Sequence, residues 1–371
     1  MDADRRVLIS EGGSGESRAA VAAVRALAMA GYHPTVTVCG DLSLAGASRY
    51  CAGHVPVPPV ASDPCGYAEA VRAELARGRY LALLPASDPA LLALGVPVRH
   101  LLDKVACAAA AERAGLRAPP SRIFSSAAEL LDAAAELEYP VVAKPDTKRF
   151  MAVRADSAAA LRTAMRARAD EPGRIIVQPY LRTALHGVLG LVWHGELVQS
   201  MHMRYHRLWP LPCGTVASAS TVAPDPELES RLVRLLEGYD GVFHADLAGP
   251  YLLDLNPRIH ATLPLALASG IDPVTAYCDL LRGEAVARAR ARADVFFRWI
   301  EGDLRSLLHD VGAGRVGAMA AIRALTPRRG AAHSYESWRD PGPLLTRVRF
   351  AMRRRRARRA AAVEHPITVG G

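Results

Sequence analysis

Two carboxylates and one amide lie close together in the segment FHADLAGPYLLDLNPR, residues 243–258. The pattern predicts two adjacent strands, with Asp246 in the first and Asp254 and Asn256 two residues apart in the second. Residues two apart on a strand share a face, and their oxygens are the hard ligands that Mg²⁺ takes. The segment therefore predicts a magnesium site. The alternative is purely structural, because Asn-Pro also marks the end of a strand.

Lysine is rare in this chain, since only three of its 46 basic residues are lysines: Lys104, Lys144 and Lys148. A compact ammonium and a planar guanidinium are not interchangeable at a tight phosphate site, so the remaining lysines are candidates for such a site. Lys104 opens a predicted helix, and Lys144 ends the apolar strand YPVVAK. A charge at the end of a buried strand is costly unless it meets an anion. Bound polyphosphate would satisfy both lysines, and a snorkelling side chain is the alternative for Lys144.

A glycine cluster, Gly12 to Gly15, follows the first predicted strand. It would suit a dinucleotide-binding turn, and Asp41 lies near the expected position of a ribose partner. The third glycine of the G-x-G-x-x-G pattern would however fall on Arg18. A tight strand–helix turn is therefore the favoured interpretation, and an NAD(P)-dependent oxidoreductase that uses this turn is an alternative.

The net charge of +9 is confined to one end of the 371-residue chain. Residues 295–371 contain 15 arginines and 6 acidic residues, so the first 294 residues are neutral overall. A neutral body does not favour nucleic-acid binding. The basic run RRRRARR in the tail fits an anionic surface, a solvated terminus or an oligomer contact equally well. Six scattered cysteines without a CxxC pair, and no long apolar run, predict a cytoplasmic protein that does not insert into a membrane.

The elements that must position these residues alternate between strand and helix in the first hundred residues, which predicts a parallel sheet covered by helices. A helix over 101–115 follows. A second unit then contains strands at 139–144 and 174–178, strand-like runs through 184–222, the two strands of the carboxylate segment, and helices near 261–269 and 272–283. Beyond 295 the sequence is at best amphipathic. The expected fold class is thus mixed, α/β and then α+β.

The order of four motifs resembles the ATP-grasp superfamily, in its carbamoyl-phosphate-synthase large-chain and biotin-carboxylase-like branch. The motifs are the DK-helix at 103–104, YPVVAKP, IIVQPYL and FHADLAGPYLLDLNPR, and the likeness covers about residues 1–285. It implies an N-terminal parallel-sheet (pre-ATP-grasp) domain over 1–100 and a two-subdomain ATP-grasp fold. The small, lid-like subdomain with its linker helix would span 101–182, the large subdomain 183–290, and an arginine-rich C-terminal extension 291–371.

The resemblance also implies an activity and roles for individual residues. The expected enzyme is a ligase that uses ATP and Mg²⁺ (or Mn²⁺) to activate a small-molecule carboxylate as an acyl phosphate and couple it to an amine. The implied nucleotide-binding residues are Lys104, Lys144, Gln178, Pro179, Tyr180, Leu181 and His186. Asp246, Asp254 and Asn256 match the metal ligands, and Arg258 and Lys144 the catalytic cations. Arg204, Arg207 and His260 would lie near the acceptor substrate, although a solvated hairpin accounts for 201–221 equally well.

Three departures from the family pattern motivate a competing hypothesis. The loop KPDTKRFMAV, residues 144–153, lacks the usual glycine-rich phosphate cover, and Lys148 and Arg149 are the candidates to replace it electrostatically. Pro179 stands where an acidic residue is common, and both metal carboxylates are aspartates where glutamate is frequent. A non-catalytic ATP-binding protein on the same fold is therefore the alternative to a ligase. The sequence leaves oligomerisation open.

Overall fold

The N-terminal domain is built on a four-stranded parallel sheet with the strand order β3-β2-β1-β4. The computed structural model describes residues 3–364, with side chains described from 4 to 357. The apolar face of α1 packs on the sheet, with Val21, Val24 and Leu27 fully buried. The elements are β1 (Arg6–Ser10), α1 (Arg18–Met29), β2 (His33–Val38), β3 (Gly53–Pro56), α2 (Pro64–Arg77), β4 (Ala82–Pro85) and α3 (Asp88–Leu94).

A small antiparallel sheet follows, with the order β5-β8-β6-β7 and two helices on one face. A helix that is interrupted at Asp103 leads the chain to this sheet. Asp103 caps the second half of the helix, because its side chain accepts hydrogen bonds from the backbone of Val105 and Ala106. The elements are α4 (Arg99–Leu102), α5 (Lys104–Arg113), β5 (Arg122–Phe124), α6 (Ala127–Asp132), β6 (Val141–Pro145), β7 (Val153–Ala155), α7 (Ala158–Met165) and β8 (Ile175–Pro179).

The large sheet has eight strands in the order β13-β12-β9-β10-β11-β15-β16, with β14 also paired to β10. Its elements begin with β9 (Leu185–Trp193), β10 (Glu196–Trp209), β11 (Thr215–Val222), α8 (Pro226–Leu235), β12 (Gly241–Ala248) and β13 (Tyr251–Asn256). They continue with α9 (Leu263–Ala268), α10 (Pro273–Leu281), β14 (Ala289–Arg290), β15 (Phe296–Arg298), α11 (Ile300–Gly312), α12 (Ala318–Leu325), β16 (Ala332–His333) and α13 (Gly342–Glu364).

The hairpin between β9 and β10 turns at His194 and Gly195. Both residues have positive φ angles, 50° and 77°. A two-residue turn of this kind matches the twist of the flanking strands and tolerates glycine best. The parallel N-terminal sheet and the mixed fold class are confirmed.

The segment beyond residue 295 is more than the amphipathic extension expected from the sequence. Residues Phe296–Arg298 pair with residues 218–220 of β11 and so extend the large sheet. Asp340 is buried and accepts hydrogen bonds from Arg25 at 2.8 Å, from Ser48 at 2.7 Å and from the backbone of Arg49 at 3.0 Å. The segment after the large sheet therefore fastens that sheet to the N-terminal domain.

Helix α13 adds ion pairs to the same contact. Arg347 bridges Glu16 at 2.8 Å and Glu301 at 2.5 Å, and Arg354 pairs with Glu16 at 2.7 Å. Three arginines of the basic tail region, Arg347, Arg353 and Arg354, thus balance acids elsewhere in the chain. The other roles considered for the run RRRRARR stay predictions, since the side chains after residue 357 and residues 365–371 lie outside the part of the chain that the structure describes. Within residues 3–364, no helix is long and apolar enough to cross a membrane.

Candidate active site

A cavity of about 750 Å³ lies between the small sheet and the large sheet. This volume is within the usual range for small-molecule sites. The small sheet contributes β6, β8 and the loop after β6, and the large sheet contributes the facing residues of β12 and β13. The sequence-predicted residues that line the cavity are Lys104, Lys144, Gln178, Pro179, Tyr180, Leu181, Asp246, Asp254, Asn256 and His260.

The two aspartates are brought together by strand register. Asp246 of β12 is the direct cross-strand partner of Asp254 of β13, and Asn256 lies two residues further along the same strand. The Asn256 amide nitrogen lies 3.4 Å from one Asp246 oxygen. Although burial acts in the opposite direction, the neighbouring His244 and the Tyr205 hydroxyl hold the pKa of Asp246 below its usual range. Asp246, Asp254 and Asn256 therefore form an anionic corner of the cavity.

Two lysines stand at this anionic corner. The Lys104 ammonium lies 3.1 Å from the Asp254 carboxylate. Burial opposes its charge, but the carboxylates of Asp254 and Asp88 outweigh burial and raise the pKa of Lys104. The Lys144 ammonium donates a hydrogen bond of 2.8 Å to the carbonyl of Leu253. Burial lowers the pKa of Lys144 to about 8, against the attraction of Asp254.

Arg258 lies behind the corner rather than on the cavity wall. Its guanidinium donates to the Asn256 amide oxygen at 2.7 Å and is ion-paired with the buried Asp88 of α3. In the arrangement described, Arg258 therefore orients Asn256. Asp88 also attracts Lys148, at 3.5 Å. Burial opposes ionisation of Asp88, but these two cations hold the pKa of that carboxyl below its ordinary value.

Sequence reasoning missed Tyr205, His244 and Asp88. Tyr205 donates a 2.6 Å hydrogen bond to Asp246, and its hydroxyl lies 3.2 Å from a ring nitrogen of His244. Gly187 makes room for it, because a Cβ there would lie 2.2 Å from the Tyr205 oxygen. The position of His244, two residues before Asp246, was the one signal available in the sequence.

His260 stacks on His244, with ring centroids 3.5 Å apart. Burial, together with the nearby His244 ring and the Arg258 guanidinium, keeps the pKa of His260 well below its ordinary value. The His260 ring is therefore neutral near pH 7. Its Nδ1 lies 3.0 Å from the Thr262 hydroxyl, which fixes the orientation of the ring.

The predicted adenine-binding segment forms the connection between the two sheets. Tyr180 donates its backbone N–H to the carbonyl of Pro140 at 2.9 Å, and Arg154 lies 4.1 Å from the centroid of its ring. The side-chain amide of Gln178 donates to Ser121. His186 does not line the cavity, where Ala184 and Leu185 take its place. The predicted ribose contact of His186 is therefore not supported by its position.

The two predicted acceptor arginines also lie elsewhere. Arg207 forms a two-bond ion pair with Asp303, at 2.5 and 3.1 Å, and Asp303 is fully buried. Arg204 is exposed on β10 and does not line the cavity. A β-bulge between Tyr205 and Arg207 alters the alternation of faces that a sequence pattern assumes. Tyr205, and neither arginine, points to the anionic corner.

The loop after Lys144 was predicted to replace the glycine-rich cover with two cations, Lys148 and Arg149, and the structure agrees with only part of this prediction. Lys148 lines the cavity, as an electrostatic replacement for the glycine-rich cover requires. Arg149 turns away and donates to the carbonyls of Pro172 and Arg174. One of the two expected cations, Lys148, therefore faces the cavity.

The glycine cluster is a packed turn. A Cβ at Gly12 would lie 2.2 Å from the Ser87 hydroxyl, and one at Gly15 would lie 2.3 Å from the carbonyl oxygen of Leu42. Both glycines have positive φ angles, 78° and 67°. Asp41, the predicted ribose partner, is ion-paired with Arg353. Glycine is therefore required here by packing and backbone conformation, and Asp41 is engaged elsewhere, which favours the structural interpretation.

Glu11, beside this turn, is a buried acid whose ionisation we expect to cost stability. Burial raises the pKa of Glu11 to about 8, although Ser43 donates to one of its oxygens at 3.2 Å. Because the folded state holds this proton more tightly than the unfolded state, stability should fall as pH rises from about 4.5 to about 8. Glu11→Gln should therefore be more stable than the parent protein at pH 9, by on the order of a few kcal/mol, and equal to it near pH 4.5.

Urea unfolding at several pH values measures this difference. Glu237→Gln, at an exposed position, is the matched control and should leave the pH profile unchanged. An equal gain for Glu11→Gln at both ends of the pH range would show that Glu11 does not change its protonation on unfolding.

The chain has the same fold as the solved structures described below, which confirms the fold that the resemblance implies. No family model matches the sequence, and no curated protein matches it.

Solved structures with the same fold include the following three. L-Amino acid ligase from Bacillus licheniformis is 16% identical, with 75% of this chain and 74% of that chain covered and a TM-score of 0.56. Biotin carboxylase from Campylobacter jejuni, solved as a β,γ-ATP complex, is 15% identical over 79% and 74% of the two chains, with a TM-score of 0.57. N5-Carboxyaminoimidazole synthase from Aspergillus clavatus, solved with ADP, is 16% identical over 80% and 82%, with a TM-score of 0.58.

The corner suits a magnesium–nucleotide complex better than a metal ion alone. Among the described residues, no group of three or more His, Cys, Asp and Glu side chains could hold a metal. Mg²⁺ typically takes one or two protein carboxylates and completes its shell with water and phosphate oxygens. Two aspartates beside two lysines match that requirement, since the lysines add positive charge for phosphate.

Proposed function

We propose that the protein is an ATP-dependent ligase that activates a carboxylate and couples it to an amine, with ADP and phosphate as products. One observation carries the proposal: Lys104, Lys144, Asp246 and Asp254 converge on one end of a single cavity. The geometry of the corner and the common fold of the three ligase-type structures support it.

In the proposed reaction, a carboxylate oxygen of the acid bonds to the γ-phosphorus while the bond from that phosphorus to the bridging oxygen breaks, and ADP leaves. The amine nitrogen then bonds to the acyl carbon, phosphate leaves, and the nitrogen loses a proton. Such a transfer needs mainly positioning and charge neutralisation from the protein. No side chain has to act as a nucleophile.

The residues divide this work between them. Lys104 and Lys144 would hold phosphate oxygens, and residues 178–181 would contact the adenine. Asp246, Asp254 and Asn256 would hold Mg²⁺ (or Mn²⁺), which neutralises charge on the phosphates. Arg258 orients Asn256 and places a positive charge behind it, so we assign it a positioning role. Its direct contact with the transferred phosphoryl group stays a prediction.

A non-catalytic ATP-binding protein is the second candidate. It is favoured by two observations at the corner: the loop after Lys144 lacks glycine, and the Asn256 amide oxygen already accepts from Arg258. An oxidoreductase that uses the Gly12 turn is disfavoured, because that turn is filled by the chain itself.

Trapping with hydroxylamine separates the candidates. Hydroxylamine converts an acyl phosphate to a hydroxamate whatever the natural amine is, so a panel of carboxylates can be screened with ATP and Mg²⁺. We expect ADP release and hydroxamate formation with at least one acid, and a raised melting temperature with ATP–Mg²⁺. Stabilisation by ATP–Mg²⁺ without hydroxamate from any acid would favour the non-catalytic protein. Stabilisation by NAD(P) alone would refute both.

A further inference from the structure

The C-terminal segment carries most of the exposed apolar side chains. Among the described residues, twelve large apolar side chains are exposed, and nine of them lie within residues 300–352. Trp338, just before α13, is 94% exposed. Exposed apolar residues that are scattered singly need no explanation, but a concentration of them marks an interaction surface. The segment that fastens the large sheet to the N-terminal domain therefore also presents a surface to a partner.

One side of α13 is packed against the rest of the chain. Leu344 and Phe350 are partly buried against the core. Arg347 and Arg354 extend from the same side and form ion pairs with Glu16 at 2.8 and 2.7 Å. Residues three, four and seven apart lie on one face of a helix, so these contacts determine which face of α13 turns outward.

The outward side of α13 carries two kinds of side chain. Its apolar residues are three and four positions apart and form a half-exposed stripe: Leu345, Val348 and Met352. Its exposed arginines lie three or four positions along the helix from a member of this stripe, and therefore beside it: Arg349, Arg355 and Arg356. These six residues are called the outer face of α13.

The chain does not neutralise the charge of the outer face. Within the described part of the helix, the ion pairs of α13 use Arg347, Arg353 and Arg354. The arginines of the outer face pair with none of the described acids within 4 Å. The helix itself offers no counter-charge there, because the sequence from Gly342 to Val363 contains no acidic residue. A partner of this face should therefore be anionic.

The partner must also cover the apolar stripe. A second copy of the chain would bring two like-charged faces together, since residues 295–371 carry the whole net charge of +9, and like charges oppose association. A nucleic acid would neutralise the arginines through its phosphates but leave the apolar stripe in water. An anionic lipid surface has phosphates for the arginines and an apolar layer below them, and helices that lie on such surfaces combine these residue types.

We propose that the outer face of α13 binds the protein to the surface of an anionic membrane, without crossing it. The apolar stripe enters the boundary between headgroups and acyl chains, and the arginines contact the headgroup phosphates. Trp338 lies at the same boundary, where tryptophan is favoured. This proposal selects one of the three roles that the sequence left open for the basic tail, and it is independent of the proposed ligase function.

Vesicle flotation with the full-length protein tests the proposal. We expect the protein to float with vesicles made of equal amounts of phosphatidylcholine and phosphatidylglycerol, and not with phosphatidylcholine alone. Binding should weaken as the salt concentration rises, because salt screens the attraction between arginine and headgroup. Brominated lipids should quench the tryptophan fluorescence of the parent protein, and this quenching should be largely lost in Trp338→Phe. Failure to bind the anionic vesicles would overturn the proposal.

Charge variants test the arginines. Arg355→Gln combined with Arg356→Gln should weaken vesicle binding by about 25-fold, because each basic residue near an anionic surface contributes roughly a fivefold gain in affinity. Arg79→Gln combined with Arg113→Gln removes two exposed arginines from the neutral part of the chain and is the matched control. The control should bind like the parent protein, and an equal loss in both double variants would mean that only the total charge matters.

Apolar variants test the stripe. Met352→Glu should abolish quenching and weaken binding to the anionic vesicles, and Met29→Glu, at an exposed position of α1, should change neither. Melting curves like that of the parent protein would show that both variants are folded. Vesicle binding that Met352→Glu leaves unchanged would contradict the proposal. A dimer in sedimentation experiments that dissociates in Met352→Glu would instead assign the outer face to a second copy of the chain.

Discussion

Asp254→Ala should abolish ATP turnover, with kcat lower by about 10²–10³-fold, the cost typical of removing one preorganised electrostatic group. Asp254 is the cross-strand partner of Asp246 and the counter-charge of Lys104. Removing the Asp254 carboxylate would leave Asp246 as the one remaining carboxylate for the metal. It would also remove the ion pair that positions Lys104. Initial rates of ADP release at saturating Mg²⁺ measure the effect.

The fold should persist in this variant, because the Asp254 side chain lies on the cavity wall and is 22% exposed. Far-UV circular dichroism and the melting curve test that point. Asp254→Asn keeps the shape and removes the charge, and it should lose nearly as much activity. Asp132→Ala removes an exposed carboxylate at the end of α6 and serves as the control. Full activity of purified Asp254→Ala would refute the metal assignment.

Lys144→Met should lower kcat/KM for ATP by about 10²-fold, the lower end of the range typical of removing one preorganised electrostatic group. The Lys144 ammonium is buried, and the carbonyl of Leu253 fixes its position directly beside Asp254. A phosphate oxygen would meet it in a site that excludes water, where a charged hydrogen bond is strong. Steady-state kinetics with ATP varied at a fixed acid concentration measure the loss.

Lys144→Arg should fail as well, although it keeps the charge. A guanidinium is larger and planar, and the 8% exposed site has no room for it without displacing Leu253 or Asp254. Lys148→Arg is the informative comparison, since Lys148 is half-exposed and should tolerate the exchange. Wild-type kinetics for Lys144→Arg would mean that the site needs only a positive charge.

The anionic corner was predictable because its residues are close together in the sequence. Asp246, Asp254 and Asn256 lie within eleven consecutive residues, and the period of two along a strand places Asp254 and Asn256 on one face. The rarity of lysine in an arginine-rich chain pointed independently to Lys104 and Lys144. The fold class followed from the alternation of strands and helices in the first hundred residues.

The contacts between residues far apart in the sequence were not predictable in the same way. Asp88 meets Arg258 across 170 residues, and Arg18 meets Thr215 across 197. Such contacts depend on how the domains pack, which no local pattern encodes. The bulge after Tyr205 is a further case, because one irregular residue changed which side chains of β10 reach the cavity. The strands after residue 295 were missed because β15 and β16 have only three and two residues.

The contact between the C-terminal segment and the N-terminal domain has a mechanical consequence. Asp340 and α13 couple that domain to the large sheet, so the two form a frame. Two connections, residues 114–121 and 180–184, join the small sheet to this frame. Ion pairs such as Lys148 to Asp88 and Arg174 to Asp103 hold it there as well. We expect the cavity to open by rotation of the small sheet about these two connections, with the ion pairs holding the closed arrangement. The frame is thus held together by the segment beyond residue 295, which in sequence is at best amphipathic.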